Sequence, residues 1–407
     1  MKALLQINTV VNTGSTGRIA EDIGNMAMEN GWKSYIAYGR YGNSSNSNVI
    51  KIGSKLDNYI HVLFTRLFDK HGFASKRATR KFIRQIEKIK PDIIHLHNIH
   101  GYYLNIKILF DYLASVSIPI VWTLHDCWAY TGHCTHYTYS NCQKWRTHCN
   151  SCPEIHSYPK SLRDNSYKNF DLKRILFNSI SNLTLVSVSK WLEKDVKQSF
   201  LMKNHICQIY NGVDLQQFKP VPSKHILSKL GIENKFVILG VASTWSNRKG
   251  LCDFMDLSKL LQPDEVILLV GLSNSQMKNL PIGIIGISRT ENIEELVELY
   301  NAAAVFVNPT WEDNFPTTNL EALACGTPVI TYATGGSIEA IDKDTGWIVE
   351  PGDIKGIYDI IFRLKEKHWD KYTYDCRERA LKYFNKHDRF AEYFNMYSSL
   401  LNVHGNK

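Results

Sequence analysis

Glu312, Asp313, Thr317, Thr318 and Glu321 fall within one ten-residue stretch, between the apolar runs Val305 to Val307 and Pro328 to Tyr332. Thr317 or Thr318 can cap a short helix whose body is Asn319 to Cys325, with Gly326 and Pro328 stopping it. Free amides at the start of that helix, reinforced by its dipole, make an anion site that a phosphate fits. Carboxylates beside a phosphate would repel it. Glu321 on the first turn, and Glu312 or Asp313 in the preceding loop, must therefore hold hydroxyls. A ligand with a central phosphate and hydroxyls at both ends, one a ribose and one a sugar, meets both demands and describes a nucleotide sugar.

Other residues extend this chemistry. Arg248 and Lys249 follow the apolar run Phe236 to Ala242. Arg can fork onto two oxygens of a pyrophosphate while Lys supplies a point charge. Near the start, the run Ala3 to Val10 passes into Asn12-Thr13-Gly14-Ser15-Thr16-Gly17. A Gly-rich turn there places backbone amides of Gly14, Thr16 and Gly17 at the carboxyl edge of a parallel sheet, although it lacks dinucleotide-site spacing. Ile118 to Leu124 ends in His125-Asp126, where Asp126 can orient the ring. His95, His97 and His100 cluster at the end of another strand, in hydrogen-bonding roles. Cys134, Cys142, Cys149 and Cys152, with His133, His136 and His148 interleaved, leave three states open: a structural zinc, reduced thiols or a disulfide.

These residues need strands to carry them and helices to space them. The strand runs Ala3 to Val10, Ser34 to Tyr38, Pro91 to His97, Ile118 to Asp126 and Leu183 to Ser189 alternate with helical patterns, as do Phe236 to Ala242, Val266 to Gly271, Ile282 to Ile287, Val305 to Val307 and Pro328 to Tyr332. That order implies an α/β chain with parallel sheets. At 407 residues two domains are expected, and the Asn-Gly turn at 211 and 212 with the prolines after it marks their boundary. Arg377 to Leu401 is aromatic-rich and helical in period.

No apolar run reaches the roughly 18 residues needed to span a bilayer. The first residues read as a strand rather than a signal peptide, so a cytoplasmic location is expected, at the inner face of the membrane if the chain docks there. The net charge of +9 calls for an anionic partner. Part of it lies in Arg66 to Lys90, beside Phe64, Leu67, Phe68 and Phe73, a pattern suited to anionic lipid head groups or to a solvated helix face. No nucleic-acid motif accompanies the charge.

The acidic stretch resembles the Glu, seven residues, Glu signature of retaining GT-B glycosyltransferases of family 4. Gly326-Thr327-Pro328 and Gly335-Gly336-Ser337-Ile338-Glu339 match two further elements of that family. The Trp-Thr-Leu-His-Asp segment leading into a Cys-rich insert (127–153) is similar to the colanic acid and O-antigen subgroup. The resemblance implies two Rossmann-like doubly wound domains facing across a cleft: residues 1–213 on the acceptor side, 214–374 binding the nucleotide sugar, and a helical segment 375–407 packing back on the first domain. It gives Glu321 the donor ribose and His125 the donor sugar, with the Gly-rich loop beside the phosphates. Counting back from Glu321 gives Asp313, one methylene shorter than the family's Glu, as the sugar contact. Glu312 then turns toward neighbouring loops or the acceptor. The family usually has an Arg about five residues before its Lys; here Thr244 stands there and Arg248 takes that part. The implied reaction moves a sugar, with retention, from a nucleotide sugar to a saccharide or lipid-linked oligosaccharide, with no cofactor required for catalysis. A nucleotide-sugar 2-epimerase of the same fold and a non-catalytic carbohydrate-binding protein are the competing readings.

Overall fold

The computed structural model describes residues 1–366 and 369–405. They form two compact units: Met1–Tyr210 together with the chain from Arg389 onward, and Asn211–Asp388.

The first unit is built on seven parallel strands, β1 (Ala3–Asn8), β2 (Lys33–Tyr38), β3 (Asn48–Lys51), β4 (Ile93–Leu96), β5 (Ile120–Leu124), β6 (Leu183–Ser187) and β7 (His205–Gln208), in the order β3-β2-β1-β4-β5-β6-β7. β1, β4, β5 and β6 are buried along their whole length, as their mainly apolar runs suit for a sheet covered on both faces. Order reverses between β1 and β4, so the ends of these strands and of β5 form the switch point at which ligands bind in open α/β sheets.

The second unit repeats the plan with β8 (Phe236–Val241), β9 (Glu265–Val270), β10 (Ile284–Ile287), β11 (Val305–Asn308), β12 (Val329–Tyr332) and β13 (Gly346–Val349), ordered β10-β9-β8-β11-β12-β13 and again parallel. Its switch point lies between β8 and β11. Both expected Rossmann-like sheets are present.

Three strands escaped the sequence reading: β3, β7 and β13. Each lies at the edge of its sheet, where one side has no neighbour; β3 and β7 have no buried residue and β13 only its two ends. Edge strands need no continuous apolar run, so they lack that signal.

The C-terminal segment divides differently from the expected 375–407 block. Helix Thr373–Tyr383 stays in the second unit, where Arg377 donates to the carbonyls of Leu215, Phe218 and Ala324. Only from Arg389 does the next helix, Lys386–Gly405, belong to the first unit. There Phe390, Tyr393 and Tyr397 pack in one core with Leu4, Ile19, Ile93, Val121 and Val186.

Candidate active site

In the second unit, β8 and β11 deliver their loops side by side. The loop after β8 closes into a short turn, Asn247–Lys249, that presents Arg248 and Lys249. The loop after β11 presents Glu312 and Asp313. Gly250 joins the two: its φ is +79°, and a Cβ there would lie 2.3 Å from the Pro309 carbonyl oxygen, so only glycine lets the loops touch. Trp311 N then donates to Arg248 O at 2.9 Å.

The four charged side chains pair across this junction. Arg248 Nη1 donates to Glu312 Oε1 at 2.7 Å, and Lys249 Nζ to Asp313 Oδ2 at 2.6 Å. Lys249 also reaches the Glu312 carbonyl at 3.3 Å. Glu312 is buried, and its second oxygen, Oε2, has no hydrogen-bond partner among the described residues. A buried carboxylate oxygen is costly to leave in that state, and a ligand hydroxyl would satisfy it.

The next helix runs Thr317–Ala324, with Pro316 rather than a threonine at its cap and no capping side chain. Pro316 has no N–H, so the first free amides are those of Thr317 and Thr318. The anion-binding end therefore exists, while the expected threonine cap does not. Glu321 receives the Tyr300 hydroxyl on Oε2 at 2.9 Å, a partner invisible in sequence because it comes from a different helix. Behind this loop, Gly335 has φ +51° and would place a Cβ 1.9 Å from Asp313 O; the pair Gly335-Gly336 thus holds the acidic loop from below. After Gly335-Gly336 the chain makes a single helical turn, Ser337–Ala340, which carries Glu339.

In the first unit the Gly-rich turn enters its helix, Gly14–Glu29, earlier than a free loop would. Thr16 Oγ1 accepts from Asn8 Nδ2 at 3.4 Å, and Gly17 O from Asn12 N at 3.2 Å. His125, at the end of β5, is half-buried and faces His97: its Nε2 lies 3.1 Å from His97 Nδ1. Burial holds His125 at about 4, against the upward pull of Asp126. The expected orienting role of Asp126 goes to His97 instead, because Asp126 binds His100 Nε2 at 2.7 Å and Trp128 N at 2.9 Å. His95 joins the same network through Thr123 at 2.8 Å and Tyr397 at 2.6 Å.

Cys134, Cys142, Cys149 and Cys152 line one cavity with His133 and Trp145, and all nine cysteines are free thiols. A hydrogen bond between Cys134 and Cys152 raises the first thiol and lowers the second. Four thiols suit zinc chemically. Yet among the described residues no three His, Cys, Asp or Glu side chains stand close enough together to hold a metal ion. His133 is engaged elsewhere, bonded to Asp69 at 2.6 Å with both side chains fully buried.

Known proteins match this arrangement. Residues 16–217 match the model for glycosyltransferase family 4, and residues 235–367 that for glycosyl transferases group 1. The colanic acid biosynthesis glycosyl transferase WcaC of Escherichia coli (strain K12) is 22% identical over 98% of this chain and 100% of its own length. An Escherichia coli UDP-Gal:alpha-D-GlcNAc-diphosphoundecaprenol alpha-1,3-galactosyltransferase is 26% identical over 47% of this chain and 53% of its own. The structure of sucrose-phosphate synthase from Thermosynechococcus elongatus superposes with a TM-score of 0.74 at 18% identity, covering 99% and 100% of the two chains. With a family 4 segment, a group 1 segment and the fold they require, the chain is a GT-B glycosyltransferase of the family 4, group 1 type.

Proposed function

We propose that this glycosyltransferase moves a sugar, with retention at the anomeric carbon, from a nucleotide-sugar donor to a lipid-linked acceptor during assembly of a surface polysaccharide. The observation that carries the donor half is the junction at the β8 and β11 switch point. Arg248 and Lys249, with the amides of Thr317 and Thr318, suit a leaving diphosphate. Asp313, Glu312 and Glu321 suit hydroxyls, Glu321 those of the ribose. His125 is assigned to the donor sugar, and the loop carrying Gly14, Thr16 and Gly17 to the phosphates and acceptor. The colanic acid biosynthesis role of one Escherichia coli relative and the diphosphoundecaprenol-linked substrate of the other support the polysaccharide and the lipid diphosphate. Purified enzyme incubated with a panel of nucleotide sugars and a polyprenyl-diphosphate saccharide should release nucleoside diphosphate only with acceptor present, giving a product with the donor's anomeric configuration. An inverted product, or an epimerised donor formed without acceptor, would overturn the proposal.

A lipid-linked acceptor needs the enzyme at a membrane, and helix Lys55–Phe68 supports that partner. It is turned inside out. Asn58, His61 and Thr65 face inward, held by bonds such as Asn58 Nδ2 to Gly39 O at 3.0 Å and Gly72 N to His61 Nε2 at 3.1 Å. Leu56, Tyr59, Ile60, Leu63, Phe64, Leu67 and Phe68 face outward, Tyr59 with 71% of its surface exposed. In the same unit, helix Lys76–Ile89 exposes Lys76, Arg77, Arg80, Lys81, Arg84 and Lys88. An apolar face accompanied by unopposed cations suits anionic head groups above acyl chains. No helix among the described residues is long and apolar enough to cross a membrane. Co-sedimentation should be strong with phosphatidylglycerol vesicles, weak with phosphatidylcholine, and lost in Leu63→Ser/Phe64→Ser; equal binding by that variant removes this surface.

A structural zinc on Cys134, Cys142, Cys149 and Cys152 stands as a separate proposal, supported by their shared cavity and requiring the thiols to draw closer. Near one zinc per chain in fresh, reduced protein, with lower Tm on chelation, supports it. Metal-free protein of unchanged stability removes it.

A further inference from the structure

Asp253 falls in the first turn of helix Leu251–Leu257, four residues after Lys249, where an acid ordinarily serves the helix dipole from the surface. Here it is buried. Each of its oxygens takes one donor: Oδ1 accepts the Tyr332 hydroxyl at 2.6 Å, and Oδ2 accepts the indole Nε1 of Trp311 at 3.0 Å. Neither donor belongs to this helix. Tyr332 ends β12, and Trp311 directly precedes Glu312 and Asp313 in the loop after β11. The two aromatic rings meet edge-on, with centroids 5.8 Å apart.

Trp311 is thus gripped twice by one segment of chain. Its backbone N–H donates to Arg248 O at 2.9 Å, and its indole N–H donates to Asp253, five residues further on. A single bond would leave the acidic loop free to pivot about it, whereas two bonds on either side of the same residue fix its orientation. An indole nitrogen only donates, so the second grip exists only while position 253 offers an acceptor.

We infer that Asp253 is a positioning residue that ties the acidic loop to the cation-bearing loop through the Trp311 indole, and so holds Glu312 and Asp313 in register with Arg248 and Lys249. This rests on the assignment of that junction to the donor made above. What the position needs is an acceptor rather than a charge. Asn can turn its oxygen to Trp311 and its NH2 to Tyr332, whose hydroxyl oxygen accepts. Leu has nearly the same shape and strands the indole N–H.

The test uses the full-length enzyme, calorimetry with UDP, GDP and ADP, and 15N–1H NMR of the indole groups, the Trp311 signal being identified by its absence in Trp311→Phe. Asp253→Leu should raise the Kd of the tightest-binding diphosphate about fivefold or more and speed deuterium exchange of the Trp311 indole about tenfold, while Asp253→Asn stays within about twofold of wild type on both. Trp311→Phe should reproduce the loss of affinity, and combining it with Asp253→Leu should add little, as expected of two residues that act through one bond. A folded Asp253→Leu with wild-type diphosphate Kd overturns the inference, as does an Asp253→Asn as impaired as Asp253→Leu. Should Asp253→Leu fail to fold, Trp311→Phe decides, and an unchanged Kd in that variant overturns the inference. Unchanged Kd in Lys249→Ala overturns the donor assignment instead, and because the indole exchange is read without ligand the two failures are distinguishable.

Discussion

Around His125 most polar groups are buried histidines joined by hydrogen bonds, whereas around Lys249 they are ionised and paired with one another. In the second, Lys249 holds Asp313 at 2.6 Å and Arg248 holds Glu312 at 2.7 Å, and a diphosphate bound as proposed would have to draw the cations away from these carboxylates. The difference teaches that one site orients and the other exchanges partners. On the proposed donor assignment, carboxylates freed by the diphosphate become acceptors for donor hydroxyls, which would couple phosphate binding and sugar binding through the same two loops.

The largest effect should come from removing a cation at the exchanging site. A charge-assisted contact contributes roughly 1.5–3 kcal/mol, so Lys249→Ala should lower kcat/KM about 10- to 150-fold and weaken nucleoside diphosphate binding together, read by initial rates and calorimetry. Unchanged diphosphate affinity would remove Lys249 from the site.

Asp313→Asn sharpens the coupling. As a sugar contact alone, Asp313 should affect turnover and leave diphosphate affinity intact. Its bond to Lys249 predicts instead that turnover falls more than about tenfold and diphosphate affinity shifts as well. If Glu312→Gln shows the larger turnover loss and Asp313→Asn stays active, the buried Oε2 of Glu312 is the sugar acceptor.

Acid should separate the two units. His61, His71, His95, His97 and His125 all lie in the first unit and are held below the ordinary histidine range by burial, His125 to about 4 and His61 to about 3. The unfolded chain therefore takes up these protons first as the pH falls. Stability present above about pH 6.5 is lost on the way down toward pH 4, by up to roughly 1.4 kcal/mol per pH unit for each histidine. His225 and His387 of the second unit are exposed. Hydrogen exchange at pH 7 and pH 5 should show protection falling in the first unit ahead of the second.

The smallest effect belongs to Thr317→Ala. Thr317 makes no cap bond, so Tm should move by less than the equivalent of about 0.5 kcal/mol, whereas a true cap would cost about 1 kcal/mol.

Central strands were legible because burial on both faces demands apolar runs, and the junction residues Arg248, Lys249, Glu312 and Asp313 were legible because charge beside a strand end has few structural uses. What the sequence hid were relations between distant segments. Gln6 reads as an ordinary polar residue in a strand, and only the fold sets it against His97, 91 positions away. Tyr300 reads as helix core, and only packing brings its hydroxyl to Glu321. Asp126 follows His125 directly and invites pairing with it, but the fold brings His100, 26 positions away, to claim the carboxylate. The outward face of helix Lys55–Phe68 has the periodicity of a core-facing helix; its true orientation depends on partners for Asn58 and His61 that lie elsewhere in the chain.

That inverted helix has a practical corollary for handling the enzyme. Its polar side is already committed to internal bonds, so the chain cannot hide the apolar side by rolling the helix over without stranding Asn58 and His61. Away from lipid the exposed stripe has only other molecules to stick to, and samples prepared without a mild amphiphile should drift toward larger scattering particles as concentration rises, a colloidal cost carried by the same residues proposed to hold the enzyme at its working surface.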